Sequence, residues 1–183
     1  MAAPLPLKEQ IIAAGRMALR CHTHLALWRL TAGVEGRARH REVLADHWEH
    51  IRFLEHGQLF TAVIELHSLL DANPATINLP HLTDELEAEH GPQTLIRQAL
   101  REAEATFGKL RKLRNGVYAH RTKRKAYADM FKQAAITPDQ LQELSVLAIA
   151  ITNELREAID LEAEAPTTLP AEFYERMLEQ LAK

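Results

Sequence analysis

The sequence predicts an all-α fold, an antiparallel bundle of four long helices with additional short helices. Apolar residues recur in steps of three, four and seven, which is the spacing of one helix face, and do not alternate as they would in strands. Only seven Gly and eight Pro interrupt the 183 residues. Hydrophobic residues make up 46% and charged residues 26%, as in ordinary soluble globular proteins. We therefore expect one helical domain over residues 1–183, with 166–183 forming a C-terminal short helix after a proline-containing linker.

The first two predicted helices are long. The first covers residues 7–30, and a glycine-containing turn follows it. The second covers residues 38–70 as one helix of about 50 Å, with a bend expected near Gly57. Their apolar positions are Ile11, Ile12, Ala18, Leu19, Leu25 and Ala26 in the first helix, and Leu44, Trp48, Ile51, Leu59, Val63, Leu66 and Leu70 in the second.

A loop and a short helix are predicted in the middle of the chain. Residues 71–80 contain an Asn-Pro step and a second proline, which is typical of a loop. A short helix follows, with Thr83 as its N-cap and its end near Gly91. The next long helix begins near Pro92 with a less regular apolar stripe that includes Leu95, Ala99, Phe107 and Leu110.

The last long helix has the clearest signal in the chain. Thr137 is followed by proline, acid and amide, which predicts an N-cap with proline at the first helical position. The apolar positions after it alternate in steps of three and four: Leu141, Leu144, Ala148, Ile151, Leu155 and Ala158. Pro166 and Pro170 then bracket a linker to a final short helix over residues 171–182.

Residues 109–125 form a basic segment, with eight Lys or Arg in seventeen residues and no acid. The whole chain carries 22 basic and 25 acidic side chains, so the positive charge is concentrated locally. Such a segment attracts polyanions, because each neutralised phosphate releases a condensed counterion. The predicted RNA-binding residues around the central motif are Lys109, Arg111, Lys112, Lys123, Arg124 and Lys125.

An arginine and a histidine, Arg114 and His120, lie six residues apart within the basic segment. On a regular helix this spacing places them about 120° apart around the axis, so they would not face one substrate. Asn115-Gly116 lies between them, and both residue types tolerate positive φ. We therefore predict that the helix ends or kinks at Asn115-Gly116 and turns the imidazole back toward the guanidinium.

The run from Arg114 and Asn115 through four residues to His120, within Ala119-His120-Arg121, resembles the signature of the HEPN superfamily. Its abortive-infection branch, the AbiU type, is the closer likeness. The resemblance extends to the architecture of most of the chain, with long helices and the motif late in one of them. At the level of residues it is carried mainly by positions 110–123.

The resemblance implies metal-independent RNA cleavage, without a cofactor, at a site shared by two subunits of a homodimer. His120 would act as general acid or base, and Arg114 would hold the scissile phosphate. Asn115 would donate a further hydrogen bond or cap the helix, and Tyr118 would stack on a base or fill the core. Arg121 would support the pair. The resemblance also implies a role in prokaryotic antiviral defence, as an abortive-infection protein or a toxin with an antitoxin protein as a further partner.

The sequence also bears on where the protein acts. Cys21 is the single cysteine, so no internal disulfide forms and a reducing compartment is favoured. The first residues lack a basic region followed by an apolar core, so no signal peptide is predicted. No apolar run approaches the roughly 20 residues that a membrane-spanning helix needs. We therefore expect a cytoplasmic protein that does not contact a membrane.

Two alternatives to a ribonuclease stay open at this point. The first is a non-catalytic RNA-binding or assembly module of the same fold. The second is a metal-binding helical bundle, because the chain has ten histidines, among them His47, His50 and the Glu87-x-x-His90 pair. Surface or half-buried histidines are the favoured interpretation, so no metal ligand is assigned.

Three polar residues near the end of the second predicted helix are candidates to support the Arg114–His120 pair: Glu65, His67 and Asp71. A carboxylate there would orient an imidazole. Glu65 and Asp71 are six residues apart on a helix, so at most one of them is expected to point at the site.

Overall fold

The computed structural model describes residues 5–119, 127–167 and 169–181. Within these ranges the chain forms nine helices and no strand, which confirms the predicted all-α bundle with four long helices. The helices are α1 (Leu7–Ala32), α2 (Val34–Arg39), α3 (Arg41–Asp46), α4 (Trp48–Leu70), α5 (Leu79–His90), α6 (Thr94–Ala119), α7 (Tyr127–Ala134), α8 (Pro138–Glu157) and α9 (Leu169–Leu181).

Helix α1 is the central element of the bundle and runs antiparallel to α4. Arg20 pairs with Glu65 at 2.8 Å, and one residue further along α1 the Cys21 thiol donates to the Ala62 carbonyl oxygen. As the residue number rises along α1, that of its partner on α4 falls, which defines the antiparallel direction. Burial raises the pKa of the Cys21 thiol, as expected for a core cysteine.

Helix α1 also runs antiparallel to α8, on its other side. The His22 imidazole lies 3.1 Å from the Ser145 hydroxyl, and Arg29 pairs with Asp139 at 2.7 Å near the start of α8. The apolar stripes of α1 and α8 meet in one large core, as their sequence periodicity predicts. Core residues from the two helices include Ile11, Ala18, Leu25, Leu141, Leu144, Ala148, Ile151 and Leu155.

The single long helix predicted over residues 38–70 is wrong, because the segment is divided into α2, α3 and α4. The breaks lie at His40 and His47, whose φ values of −108° and −113° depart from helical geometry. Gly57, where a bend was expected, lies inside α4. The two breaks allow α3 to pack with α4 and α9 around a second, smaller core made of Val43, Leu44, Ile51 and Leu178.

The tight passage from α1 into α2 explains why glycine stands at position 36. A Cβ atom there would overlap the Leu30 carbonyl oxygen. Any other residue would therefore push α2 away from the end of α1. The turn leaves Trp48 at the start of α4 46% exposed, although the sequence pattern placed it on the buried stripe.

Helix α5 begins earlier than predicted. Its N-cap is Asn78, not Thr83: the Asn78 side chain accepts from the His81 backbone N–H at 2.8 Å and donates to the carbonyl oxygens of Asn73 and Thr76. Thr83 is fully buried inside the helix. The helix ends as predicted, at Gly91, whose φ of 82° is readily adopted only by glycine.

The predicted start of α8 is confirmed. The Thr137 hydroxyl accepts from the Gln140 backbone N–H, and the Gln140 side chain accepts from the Thr137 N–H, which completes a capping box. The eight-residue helix α7 was not predicted. Helix α9 begins at Leu169, so Pro170 lies in its first turn rather than in the linker.

Candidate functional site

Helix α6 carries the described part of the predicted site. Its buried stripe includes Phe107 and Leu110 as predicted, but it begins at Ile96, because Leu95 is 69% exposed. The buried residues are Ile96, Ala103, Phe107, Leu110 and Leu113. The last two lie within the basic segment, so this part of α6 is anchored in the core.

The sequence predicted that the helix ends or kinks at Asn115-Gly116, but the helix does not end there. Helix α6 continues through both residues to Ala119, and neither has a positive φ. A glycine inside a helix costs about 1 kcal/mol relative to alanine. Burial of Leu110 and Leu113 on the preceding turns outweighs this cost, so tertiary packing overrides the local breaker signal.

The exposed charged residues in this part of α6 are all cationic. Arg111, Lys112 and Arg114 are exposed, and Lys109 is half-buried. The Arg114 guanidinium donates to the Asn115 side-chain oxygen at 3.2 Å. Within the described part of the chain, none of these four cations forms an ion pair. Their charges are therefore available to phosphate groups.

His120, Arg121, Lys123, Arg124 and Lys125 lie outside the described residues. Tyr118 belongs to the last turn of α6, and its side chain is also outside the described part. Asn115 lies within the helix and accepts from Arg114, so it does not cap a helix end.

His67 of α4 lies close to the cationic side of α6. It is only 8% exposed, and its ring packs against Phe107 with 5.4 Å between centroids. Burial lowers the pKa of His67, the charge of Asp71 raises it, and the charges of Arg114 and Arg111 lower it further. The fold therefore brings His67 and Asp71 of one helix end into the electrostatic field of two arginines on α6.

Asp71, rather than Glu65, is the carboxylate on this side of α4. Glu65 accepts from Arg20 of α1 at 2.8 and 3.0 Å, so its side chain points into the α1–α4 interface. Asp71 is the C-cap residue of α4, and its backbone N–H donates to the His67 carbonyl oxygen at 2.9 Å. The expectation that at most one of the two acids points toward the site agrees with this arrangement.

The charged neighbours of His67 lead to testable changes in its pKa. Arg114→Ala is expected to raise the pKa of His67, because a nearby positive charge is removed, and Asp71→Asn is expected to lower it. Histidine resonances followed by NMR through a pH titration measure both changes. Arg101→Ala, an exposed arginine on the same helix, is the control and should leave the titration unchanged. An unchanged pKa in Arg114→Ala would contradict the electrostatic influence of Arg114 on His67.

The same shift has a consequence for stability. The folded pKa of His67 lies below the unfolded value, which is about 6.5 for histidine. The unfolded chain therefore binds more protons at mildly acidic pH. The contribution of neutral His67 to the unfolding free energy is present above pH 6.5 and is lost as the pH falls through the folded pKa.

The described histidines and acids do not assemble into a metal site. No group of three or more His, Cys, Asp or Glu side chains in the described ranges has the geometry to hold a metal ion. Glu87 of the Glu87-x-x-His90 pair accepts from Arg97 and from the Gln93 backbone N–H, and these bonds lower the pKa of its carboxyl. This carboxylate is therefore occupied by the contact between α5 and α6.

None of the helices in the described ranges is both long and apolar enough to cross a membrane.

Comparison with curated proteins and with solved structures finds no match. A comparison with protein families does: residues 10–181 match the HEPN_AbiU2 family, described as AbiU2. The match covers nearly the whole chain, from the first turn of α1 to the end of α9. It confirms the resemblance predicted from the Arg114–His120 motif, and the chain belongs to the AbiU2 family of HEPN proteins.

Proposed function

We propose that this protein is a metal-independent endoribonuclease of prokaryotic defence, active as a homodimer that shares one RNA site. The observation that carries the proposal is the acid-free, cationic C-terminal part of α6, from residue 109 to residue 119. There the charges of Arg114 and Arg111 act on His67, which packs against Phe107 of the same helix, and His120 follows the last described residue of the helix in a chain of the AbiU2 family. A defence role rests on the family alone.

The residues suit cleavage through the ribose 2′-hydroxyl. Arg114 binds the scissile phosphate with its planar guanidinium and stabilises the charge that develops on it. His120 takes the proton from the 2′-hydroxyl, whose oxygen forms a bond to phosphorus while the bond to the 5′-oxygen breaks. A second copy of His120, from the other subunit, gives a proton to that leaving oxygen. The products are a 2′,3′-cyclic phosphate and a 5′-hydroxyl.

The other cations of α6 bind and orient the strand. Arg111 and Lys112 are exposed on the same part of the helix as Arg114, where they can contact neighbouring phosphates. The lowered pKa of His67 keeps its ring neutral near pH 7, so it adds no charge to the two arginines beside it. Leu110 and Leu113 hold this cationic surface rigidly on the core.

The proposal is tested by incubating the purified protein with end-labelled RNA in excess chelator. We expect cleavage that leaves cyclic phosphate ends, and a dimeric mass in light scattering under the same conditions. Arg114→Lys is expected to lose most of the activity, because lysine keeps the charge without the bidentate fork, whereas Arg101→Ala should be fully active. RNA binding without cleavage under all conditions would favour the non-catalytic module, and cleavage only with added metal would contradict the proposed chemistry.

A further inference from the structure

A cavity of about 460 Å³ lies between the end of α1, the turn into α2 and the start of α8. Its volume is in the range of small-molecule sites, about 300–1,000 Å³. None of the described residues that line it belongs to the candidate ribonuclease site. The residues of its lining that carry polar side-chain atoms are Trp28, Arg29, Glu35, Arg39, His40 and Asp139.

Trp28 and His40 line this cavity, and each carries a buried side-chain nitrogen that lacks a hydrogen bond. Both residues are only 5% exposed. Within the described part of the chain, neither the Trp28 Nε1 nor the His40 Nε2 has a hydrogen-bond partner. An indole N–H can only donate, and the His40 Nε2 donates in one of its tautomers. A buried donor without an acceptor costs free energy, and a ligand that supplies the acceptor recovers that cost.

A stack with Phe131 of α7 fixes the Trp28 ring but does not use its N–H. The two ring centroids lie 5.6 Å apart, and the ring planes differ by 16°. Stacking involves the ring faces, whereas the N–H lies in the ring plane. The two nitrogens have almost no exposed surface, so a ligand reaches them after a small shift of the cavity wall. Arg29 and Arg39 belong to this wall, are exposed and change rotamer readily, which makes such a shift easy.

The charges of the lining favour a ligand with no more than one negative charge. Two arginines and two acids line the cavity, so it does not attract a polyanion. Arg29 pairs with Asp139 at 2.7 Å, and both side chains are exposed, so this pair is weak and a ligand can share the guanidinium. The lining also includes four apolar side chains, those of Ala26, Leu30, Ala32 and Val34.

We propose that this cavity binds a small carboxylic acid with an apolar body. One carboxylate oxygen accepts from the Trp28 indole N–H and the other from the His40 Nε2–H, and such charge-assisted bonds are about twice as strong as neutral ones. The Arg29 guanidinium balances the charge, and the hydrocarbon part of the ligand covers the apolar lining. A phosphate with two negative charges fits less well, because Glu35 and Asp139 repel it more strongly.

Octanoate, titrated into the full chain and followed by calorimetry, tests the site. We expect octanoate to bind, octanamide to bind more weakly because it lacks the charge, and octylamine not to bind because its charge is opposite. Trp28→Phe keeps an aromatic ring against Phe131 but removes the N–H, so it should weaken octanoate binding roughly tenfold. Trp48→Phe alters the other tryptophan, which does not line this cavity, and is the matched control that should retain binding.

Arg29→Ala gives a second test at an exposed position, where a substitution has little effect on folding. It should weaken octanoate but not octanamide, because the amide has no charge to balance. Three results would overturn the proposal: no binding of octanoate to the wild type, equal affinity for octanoate and octylamine, or octanoate affinity that is unchanged in both variants. Thermal unfolding checks each variant, and the comparison of octanoate with octanamide in Arg29→Ala keeps the test valid if Trp28→Phe does not fold.

Discussion

Replacing His120 with alanine is expected to reduce RNA cleavage by at least about 100-fold, because the variant loses the group that moves protons in the proposed reaction. A positioned general acid or base contributes roughly 10²–10⁴-fold to a rate. In a shared site both roles disappear together, since both subunits carry the substitution. RNA affinity should change little, because binding rests on the cations of α6 rather than on a neutral imidazole. Single-turnover cleavage and filter binding on the same preparation separate the two quantities.

His50→Ala is the matched control for this experiment. His50 is exposed on α4, seventeen residues before His67, and should be dispensable for both cleavage and binding. Cleavage that persists in His120→Ala would refute the assignment of His120. A large loss of RNA affinity with unchanged cleavage of bound RNA would make His120 a binding residue instead.

Replacing Leu110 with alanine is expected to lower the unfolding free energy by about 2–5 kcal/mol, because the side chain is fully buried and its removal leaves a cavity. The adjacent variant Arg111→Ala should stay within about 0.5 kcal/mol of the wild type, since Arg111 is exposed. Denaturant unfolding monitored by circular dichroism measures both.

For RNA binding, we expect Arg111→Ala to have the larger effect and Leu110→Ala the smaller one. Arg111→Ala is expected to weaken binding and to reduce the dependence of affinity on salt by about one phosphate contact. Leu110→Ala should bind RNA normally as long as it is folded. If Arg111→Ala destabilised the protein as much as Leu110→Ala, the division of α6 into a buried and an RNA-facing side would be wrong.

The helices that were predicted well carry their signals locally. Helices α1 and α8 have apolar residues at regular helical spacing, and α8 also has the Thr137 cap and Pro138, so their start and buried face follow from neighbouring residues. The segment over residues 38–70 has no comparable signal at His40 or His47. Its breaks depend on how α3 meets α9, a contact between parts of the chain more than 130 residues apart.

For the candidate site too, local features could be predicted from the sequence, whereas features that depend on tertiary packing could not. The basic segment and the Arg114–His120 motif could be found in the sequence because they lie within a few residues of one another. The electrostatic coupling of His67 to Asp71 and Arg114 depends on the packing of α4 against α6. From the sequence, His67 and Asp71 could be named only as candidates to support the Arg114–His120 pair. The helix end predicted at Asn115-Gly116 was wrong for a related reason, because the local breaker signal carries no information about the core that holds α6.

Because Cys21 is buried against Ala62, its thiol is an intrinsic probe for the separation of α1 from α4. Cys21 is the single cysteine, is fully buried at the α1–α4 interface and has a raised thiol pKa, so a thiol reagent cannot reach a reactive thiolate in the closed molecule. Alkylation therefore counts only molecules in which α1 and α4 have separated. The rate of that reaction therefore measures local unfolding at the α1–α4 interface, and no label has to be introduced.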